Sequence, residues 1–303
     1  MKKNQLNKKS GLPRVLIVGC GDVGLRILPL LQDGLGGLRP KFRVFALTSH
    51  ADRCTELRAA GAFPVVADLD QPASLVRLAG LATRIIYLAP PASHGTIDQR
   101  SRRLAAVLCS RCQMVYVSTS GVYGDCGGAV IDETRQVRPN NLRAVRRVDA
   151  EQVWRKWACR TGSRLSILRV PGIYANNRLP TERLKNGTPA LLQEHDVYTN
   201  HIHADDLAQL IVAALWHASP NRVYHAVDDS NLLMGDYFDQ VADHFNLPRP
   251  PRLPRAELET QVSPMMLSFM SESRRMSNRR IQQELGYQLR FPTVADALAG
   301  MDT

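Results

Sequence analysis

Three glycines near the amino terminus are spaced so that the backbone could bind a phosphate group. Gly19, Gly21 and Gly24 form a G-x-G-x-x-G pattern directly after Val15–Val18, four consecutive apolar residues typical of a buried parallel strand. In such a turn the first glycine permits a left-handed corner, the second lets the backbone approach a pyrophosphate, and the third lets the next helix pack closely. Because the free amide groups of that helix point at the anion, the stretch predicts a dinucleotide site.

Further cofactor contacts are expected where the neighbouring strands end. The second predicted strand ends without the acidic residue that accepts the ribose hydroxyls of NAD, and Thr48, Ser49 and Arg53 stand there instead. Hydroxyls beside a guanidinium suit the extra phosphate of NADP, so NADP is preferred, while Asp52 keeps NAD open. Alternatively, Ser49 or Asp52 caps the next helix and Arg53 lies on its solvent face. The remaining expected contacts lie at the start of the first helix and at two strand exits: Asp22 and Val23, Asp68 and Leu69, and Leu88 and Ala89.

Composition and charge narrow the class of protein. The 303 residues are 44% hydrophobic and 22% charged, as in ordinary globular proteins, and no apolar run is long enough to span a membrane. Residues 1–12 are basic and lack the apolar core of a signal peptide, so we expect a disordered tail on a cytoplasmic protein. The net charge of +11 favours anionic small ligands. Because the arginines are scattered and no DNA-reading motif is present, no specific nucleic-acid partner is predicted.

The cysteines give no sign of a metal site. Without a secretion signal, the six cysteines are expected to be reduced thiols. Cys109 and Cys112 form a C-x-x-C at the end of a helical pattern, but no second pair or histidine follows at zinc-finger spacing. Packing at a helix end is therefore favoured over redox or metal chemistry.

The order of apolar runs and helical patterns predicts a parallel sheet that would position these residues. After the first helix, strands are predicted over Arg43–Leu47, Phe63–Ala67, Arg84–Ala89 and Met114–Ser118, with helical stretches between them. Such alternation is typical of a Rossmann-type α/β fold, a doubly wound parallel sheet with right-handed crossovers. A last strand is predicted over Arg222–Val227, followed by mostly helical chain.

Several further segments carry motifs in one consistent order. They are Ser118–Gly124 (STSGVYG), Asp132-Glu133 with Pro139, Leu168–Tyr174 (LRVPGIY), Asn200–Leu207 (NHIHADDL) and Ser277–Tyr287. Together they resemble the extended short-chain dehydrogenase/reductases, the NAD-dependent epimerase/dehydratase-like family. The resemblance implies a nicotinamide cofactor and a small-molecule substrate. Assembly into a homodimer is left open. The resemblance divides the chain into a dinucleotide-binding domain over 13–174, completed by 200–228, and a smaller, mostly helical substrate lobe over 175–199 and 229–303.

The catalytic pair of that family is missing from this chain. The family uses a Tyr-x-x-x-Lys pair on the helix after the proline, where tyrosine exchanges a proton with substrate while hydride passes to or from nicotinamide. Counting from Pro139, Arg143 stands at the tyrosine position and Arg147 at the lysine position. Arginine stays protonated at any working pH, so Arg143 cannot shuttle that proton. Thr119 still fits the family's Ser or Thr that holds the substrate oxygen.

Two interpretations of the arginine pair follow. In the first, Arg143 and Arg147 lie on one helical face and bind a carboxylate or phosphate of the substrate, while Tyr123, His203, Tyr174 or water transfers the proton. Of these groups, Tyr123 is nearest to Thr119 in sequence. In the second, the helix face is a surface with ion pairs of Arg147 to Glu151 and of Arg146 to Asp149.

The two interpretations lead to two functions. The first predicts an NAD(P)-binding oxidoreductase or epimerase/dehydratase-type enzyme acting on a small anionic or sugar-like substrate, with Thr119, Tyr123, Arg143 and Arg147 as its catalytic residues. The second predicts a regulatory protein that senses NADP(H) without turnover.

Overall fold

The computed structural model describes residues 11–32 and 42–301. Most of the predicted amino-terminal tail lies outside these residues. No helix within them combines the length and apolar composition needed to cross a membrane.

The central feature is a seven-stranded parallel sheet, as the alternating pattern predicts. Its strand order is β12-β7-β5-β4-β1-β2-β3, so β1 lies between β4 and β2. The strands of the described chain are β1 (Arg14–Val18), β2 (Arg43–Thr48), β3 (Phe63–Val66), β4 (Arg84–Tyr87), β5 (Gln113–Thr119), β6 (Val130–Ile131), β7 (Arg164–Val170), β8 (Gly172–Tyr174), β9 (Ala190–Leu191), β10 (Tyr198–Thr199), β11 (His201–His203), β12 (Arg222–His225), β13 (Leu232–Leu233), β14 (Arg252–Leu253) and β15 (Arg275–Met276).

Helices cover both faces of the sheet, which is why its central strands β1 and β4 are mostly apolar and buried. On one face, α1 packs against α7, and on the other α4 packs against α5. The helices are α1 (Asp22–Gln32), α2 (Cys54–Ala59), α3 (Pro72–Leu75), α4 (Gln99–Val107), α5 (Leu142–Thr161), α6 (Thr181–Lys185), α7 (Ala204–His217), α8 (Met234–His244), α9 (Arg255–Leu258), α10 (Pro264–Phe269), α11 (Arg279–Leu285) and α12 (Val294–Ala299).

Helix α5 is the longest element and carries the arginine pair. The side chain of Asn141 accepts a hydrogen bond from the amide of Ala144 at its start, and Gly162 ends it in the left-handed conformation. Trp154 and Trp157 bury its inner face against the sheet. The carboxyl end of the helix is therefore fixed in the core, and its first two turns project beside the end of β5.

The carboxyl-terminal part forms a separate apolar cluster. Side chains of α6, α8, α9 and α12 pack there, including Leu184, Tyr237, Phe238 and Leu298. Met270 is also buried in this cluster.

The start of α7 differs from the sequence-based expectation. Aspartate is a common helix cap, so the sequence predicts that Asp205 caps a helix over 206–217, but the helix begins at Ala204 and His203 is its cap. The Nδ1 atom of His203 accepts a hydrogen bond from the amide of Asp205 at 3.2 Å. Asp205 instead pairs with Arg26 of α1 at 2.5 Å. A partner 179 residues away along the chain therefore removes the aspartate from capping.

Candidate functional site: a glycine turn beside an arginine-lined cavity

The glycine turn follows β1 and contacts the end of β4. Gly19 has a φ of +87°, which is the left-handed corner that the pattern predicts. A Cβ atom there would lie 2.6 Å from the backbone nitrogen of Ala89, so only glycine fits. A Cβ at Gly24 would lie 3.0 Å from the Sγ atom of Cys20, which agrees with close packing of α1 on the turn. The amide groups of Leu88 and Ala89 both donate to the carbonyl of Val18.

Gly21 faces open space. A Cβ atom at this position would meet nothing within 4 Å, although the two neighbouring glycines of the motif are closely packed. Gly21 directly precedes α1, whose first turn starts with Asp22 and Val23. Asp22 pairs with Arg26 and with Arg178, each at 3.3 Å. An open backbone at a helix start fits the pyrophosphate of a dinucleotide.

Arg53 connects the end of β2 to this turn. Its Nη1 atom donates to the carbonyl of Cys20 at 2.8 Å, and its Nε and Nη2 atoms donate to Glu56 at 2.9 and 3.0 Å. The hydrogen bonds from Arg53 lower the pKa of Glu56. Ser49 is exposed, whereas Thr48 is buried and hydrogen-bonds with the backbone of His50. Arg53 is thus placed beside the glycine turn rather than pointing into solvent.

Asp68 and Leu69 follow β3 on the outer side of the sheet. Asp68 accepts a hydrogen bond from the amide of Asp70 at 2.8 Å, and Leu69 is buried in the core.

The structure brings Thr48, Arg53 and Ala89 to the edge that carries the glycine turn, as expected for a topological switch point.

A cavity of about 620 Å³ lies at the same edge, beyond β4. The ends of β4, β5 and β7 contribute Pro90, Thr119 and Pro171, and the first turns of α5 contribute three arginines. The opposite wall comes from the carboxyl-terminal part and contains Tyr198, His201, Met234, Tyr237, Phe238, Met266, Phe269, Glu272 and Arg274.

The predicted residues Thr119, Arg143 and Arg147 all line this cavity. The Oγ1 atom of Thr119 accepts a hydrogen bond from the amide of Gly121 at 3.3 Å. The guanidinium of Arg143 lies 4.6 Å from the centre of the Phe269 ring. Arg147 donates to the Tyr116 hydroxyl at 3.1 Å and to the Val117 carbonyl at 2.9 Å.

The surface ion pairs of the second interpretation do not form. Glu151 is buried and pairs with Arg169 at 2.7 Å instead of with Arg147. Asp149 pairs with Arg102 of α4 at 2.5 Å instead of with Arg146. The sequence spacing suggested pairs along one helix, but both carboxylates face partners on other elements. The arginine side chains of the first turns of α5 therefore line the cavity and form no ion pairs with these two carboxylates.

Tyr123 lies outside the cavity, contrary to its expected role as the nearest proton donor. Its hydroxyl lies 2.6 Å from the Nε2 atom of His225 and accepts a hydrogen bond from Arg169 at 2.7 Å. Burial raises the pKa of Tyr123 to about 12, while burial lowers the pKa of His225 to about 3. The Tyr123 hydroxyl is therefore committed to a buried network behind β5.

His203 and Tyr174 are also engaged away from the cavity. His203 caps α7 and packs against Phe291 with ring centres 4.1 Å apart. The Tyr174 hydroxyl donates to the carbonyl of Thr293 at 3.4 Å. Neither residue lines the cavity, so the geometry gives no support to their expected part in proton transfer.

Sequence reasoning missed His201, Glu272 and Arg274. His201 is buried against Tyr237, with ring centres 4.2 Å apart, and its Nδ1 atom has no hydrogen-bond partner in the described chain. Burial lowers the pKa of His201 to about 3, so the ring is neutral at physiological pH. Glu272 pairs with Arg274 at 2.8 Å and accepts a hydrogen bond from Asn141 at 3.2 Å. No spacing in the sequence links residues 272–274 to α5, so only the tertiary structure reveals them.

Comparison with known proteins agrees with this architecture. A family model described as the NAD dependent epimerase/dehydratase family matches residues 63–227. A functionally unknown conserved protein from Silicibacter pomeroyi DSS is 28% identical, with 95% of this chain and 97% of that chain covered and a TM-score of 0.74. No curated protein sequence matches the chain.

Two enzymes of known structure share the fold at lower identity. UDP-glucose 4-epimerase from Thermotoga maritima, solved with UDP-glucose, is 15% identical over 94% of this chain and 96% of that chain, with a TM-score of 0.74. DesIV, a dTDP-glucose 4,6-dehydratase from Streptomyces venezuelae solved with NAD, is 20% identical over 94% of both chains, with a TM-score of 0.74. At these identities the likeness shows the fold alone. The match over residues 63–227, more than half of the sequence, shows that this chain belongs to the NAD-dependent epimerase/dehydratase family.

Proposed function

We propose that this protein is an NAD(P)-dependent oxidoreductase or epimerase/dehydratase-type enzyme that acts on a small anionic or sugar-like substrate. The observation that carries the proposal is the position of the arginine-lined cavity at the sheet edge that also holds the open glycine turn. A dinucleotide with its pyrophosphate at Gly21 would extend past Ala89 toward Thr119. The nicotinamide, when bound, supplies or accepts a hydride.

The residues of the chain would then divide the work between binding and charge stabilisation. Thr119 would hold the substrate oxygen, and Arg143 and Arg147 would stabilise negative charge on the substrate. The sequence left four candidates for proton transfer: Tyr123, His203, Tyr174 and water. Because the three side chains are engaged elsewhere, we propose that water transfers the proton. A guanidinium cannot take that part, since it stays protonated.

For the cofactor, we propose NADP over NAD. Ser49 is exposed next to Arg53, and the guanidinium of Arg53 lies against the glycine turn through its bond to the Cys20 carbonyl. The 2′-phosphate of NADP would compete with Glu56 for this guanidinium. Asp52, which would favour NAD, accepts a hydrogen bond from the amide of Arg53 at 3.0 Å.

Thermal unfolding with each cofactor tests this preference. At about 100 times its Kd, NADPH is expected to raise the Tm by roughly 5 °C, because about 2.7 kcal/mol of binding free energy stabilises the folded state. NADH should give a smaller shift. Arg53→Ala should abolish the difference between the two cofactors, whereas Arg58→Ala, which replaces an exposed arginine of the helix that follows Arg53, should keep it. Equal shifts in the wild type would contradict the NADP assignment, and no shift with either would contradict the cofactor site.

A sensor of NADP(H) without turnover is the second candidate, because arginines occupy the positions of the family's catalytic pair and Tyr123 is buried. NADPH oxidation measured against a panel of carbonyl compounds and sugar nucleotides separates the two functions. For an enzyme, Arg143→Ala should lower kcat/KM by about 10- to 100-fold through loss of a charge-assisted contact. No activity in the wild type, together with unchanged ligand binding in Arg143→Ala, would favour the sensor.

A further inference from the structure

The ionisable groups that line the cavity carry an excess of positive charge. Four of them are guanidinium groups and one is a carboxylate, namely Arg143, Arg146, Arg147, Arg274 and Glu272. His201 contributes no charge near neutral pH. Four cations and one anion leave three positive charges facing one space. Excess charge of this kind in a partly enclosed space favours a ligand with more than one negative charge.

Two of these guanidinium groups have a donor atom that lacks a partner in the described part of the chain. Arg146 is 8% exposed and donates to the carbonyl of Gly95 at 2.8 Å, but its Nε atom is buried without a partner in the described chain. Arg274 is also 8% exposed, donates to the Gly124 carbonyl at 2.7 Å and pairs with Glu272 at 2.8 Å, while its Nε atom has no partner among the described residues. A nearly buried guanidinium with an unfilled donor is costly, and the negative charge of an anion in the cavity would offset that cost.

Of the four cavity arginines, Arg143 has the guanidinium that is most accessible to a ligand. Across residues 11–32 and 42–301 its guanidinium forms no hydrogen bond or ion pair, and its one ring contact is with Phe269. Arg147, by contrast, is fixed by its bonds to Tyr116 and Val117. The cavity thus combines a fixed cation, two nearly buried cations and a free cation at its exposed side.

A phosphate group suits this arrangement better than a carboxylate. A phosphate monoester carries a charge of about −1.5 to −2 at pH 7 and has three terminal oxygens that accept hydrogen bonds. A carboxylate carries one charge and two oxygens in one plane. The arginines come from α5 and from the segment before β15, so they approach from different elements, and a tetrahedral anion can accept from several directions.

We propose that the substrate carries a phosphate group and that Arg143, Arg146 and Arg274 bind it in this cavity. The inference rests on the proposed function, because it identifies the chemical class of the anionic substrate. Thr119 lines the same cavity, so the phosphate is held near the oxygen that undergoes reaction and the substrate is compact.

Isothermal titration of the full-length protein, saturated with NADPH so that the glycine turn is filled, tests this site. The probes are inorganic phosphate, methyl phosphate and acetate. Both phosphates are expected to bind at least about tenfold more tightly than acetate, which corresponds to one additional charge-assisted contact. Arg143→Met, which keeps side-chain length and helix propensity, should weaken phosphate binding by about tenfold. Arg160→Met, an exposed arginine of α5 away from the cavity, should leave it unchanged.

The results of these titrations either support or overturn the phosphate site. Binding of both phosphates that depends on Arg143 supports the site, and Arg146→Met should then reproduce the loss. Equal binding of phosphate and acetate, or an unchanged affinity in Arg143→Met, overturns it. If NADPH fails to bind but phosphate still binds in an Arg143-dependent manner, the nicotinamide function fails while the phosphate site stands. Because Arg143 is exposed and forms no hydrogen bond within residues 11–32 and 42–301, this variant is expected to fold normally.

Discussion

Individual buried carboxylates in this protein differ in whether a cation compensates them. Glu151 is paired with Arg169 through two hydrogen bonds and also accepts one from Ser118 at 2.7 Å. Asp228 is equally buried but has no ion pair within the described residues, and its Oδ2 atom has no partner. Burial raises the pKa of Asp228 to about 8, from 3.8. The folded protein therefore keeps this carboxyl protonated at pH 7.

Replacing Asp228 with asparagine should stabilise the protein at alkaline pH. Between the unfolded pKa of 3.8 and the folded pKa of about 8, the folded state holds a proton that the unfolded chain has released. Stability from this group is thus present at low pH and is lost as the pH rises toward 8. Asp228→Asn has no proton to lose, so at pH 8 it should be more stable by on the order of 1–3 kcal/mol.

Denaturant unfolding at pH 5 and pH 8 measures this effect. The gain of Asp228→Asn over the wild type should shrink as the pH falls toward 3.8, because the unfolded wild type then increasingly binds the proton that the folded state already holds. A gain that is the same at both pH values would show that the substitution acts through packing instead of through the proton.

At the scale of single elements, local sequence signals predict most of the sheet and fewer of the helix ends. The apolar run before Gly19 predicts β1, and the glycine spacing predicts the left-handed corner, since both depend on neighbouring residues. The cap of α7 depends on Arg26, which is distant in sequence, so the local rule that aspartate caps helices selects the wrong residue. The same limit explains the failure to place Glu151, whose partner Arg169 lies on β7 rather than on the same helix.

In the candidate site, too, local sequence signals place some residues and only the tertiary structure places the others. Thr119, Arg143 and Arg147 could be placed at the cavity because one strand end and one helix carry them. The opposite wall could not, because His201, Glu272 and Arg274 reach it only when the carboxyl-terminal part folds back on the sheet. Tyr123 follows Thr119 closely, but the turn between them directs it behind the sheet, where Arg169 and His225 bind its hydroxyl.

At the scale of the whole molecule, Asp206 connects the carboxyl-terminal part to the sheet through buried hydrogen bonds. This fully buried residue of α7 accepts hydrogen bonds from the Tyr287 hydroxyl at 2.8 Å and from the amides of Arg290 and Phe291 at 2.8 and 2.9 Å. The segment that it holds leads directly into α12, which packs in the carboxyl-terminal cluster. One carboxylate thus connects two parts of the chain.

Asp206→Ala should be strongly destabilising because it leaves a buried hydroxyl and two amides without their acceptor. We expect a loss of about 3 kcal/mol, or a decrease of roughly 6–12 °C in Tm. Asp205→Ala, which removes a half-exposed ion pair with Arg26, should cost less than about 1 kcal/mol. Thermal melts of both variants give the comparison, and similar losses for the two aspartates would contradict this role of Asp206.

The position of Arg274 and Glu272 near the carboxyl terminus has a consequence for biosynthesis. The first strand and its glycine bend leave the ribosome early, and the last strand of the large sheet ends at His225. The residues that close the far wall follow almost fifty positions later in translation. A growing polypeptide therefore completes all seven strands of the central sheet before the far wall of the cavity has been synthesised.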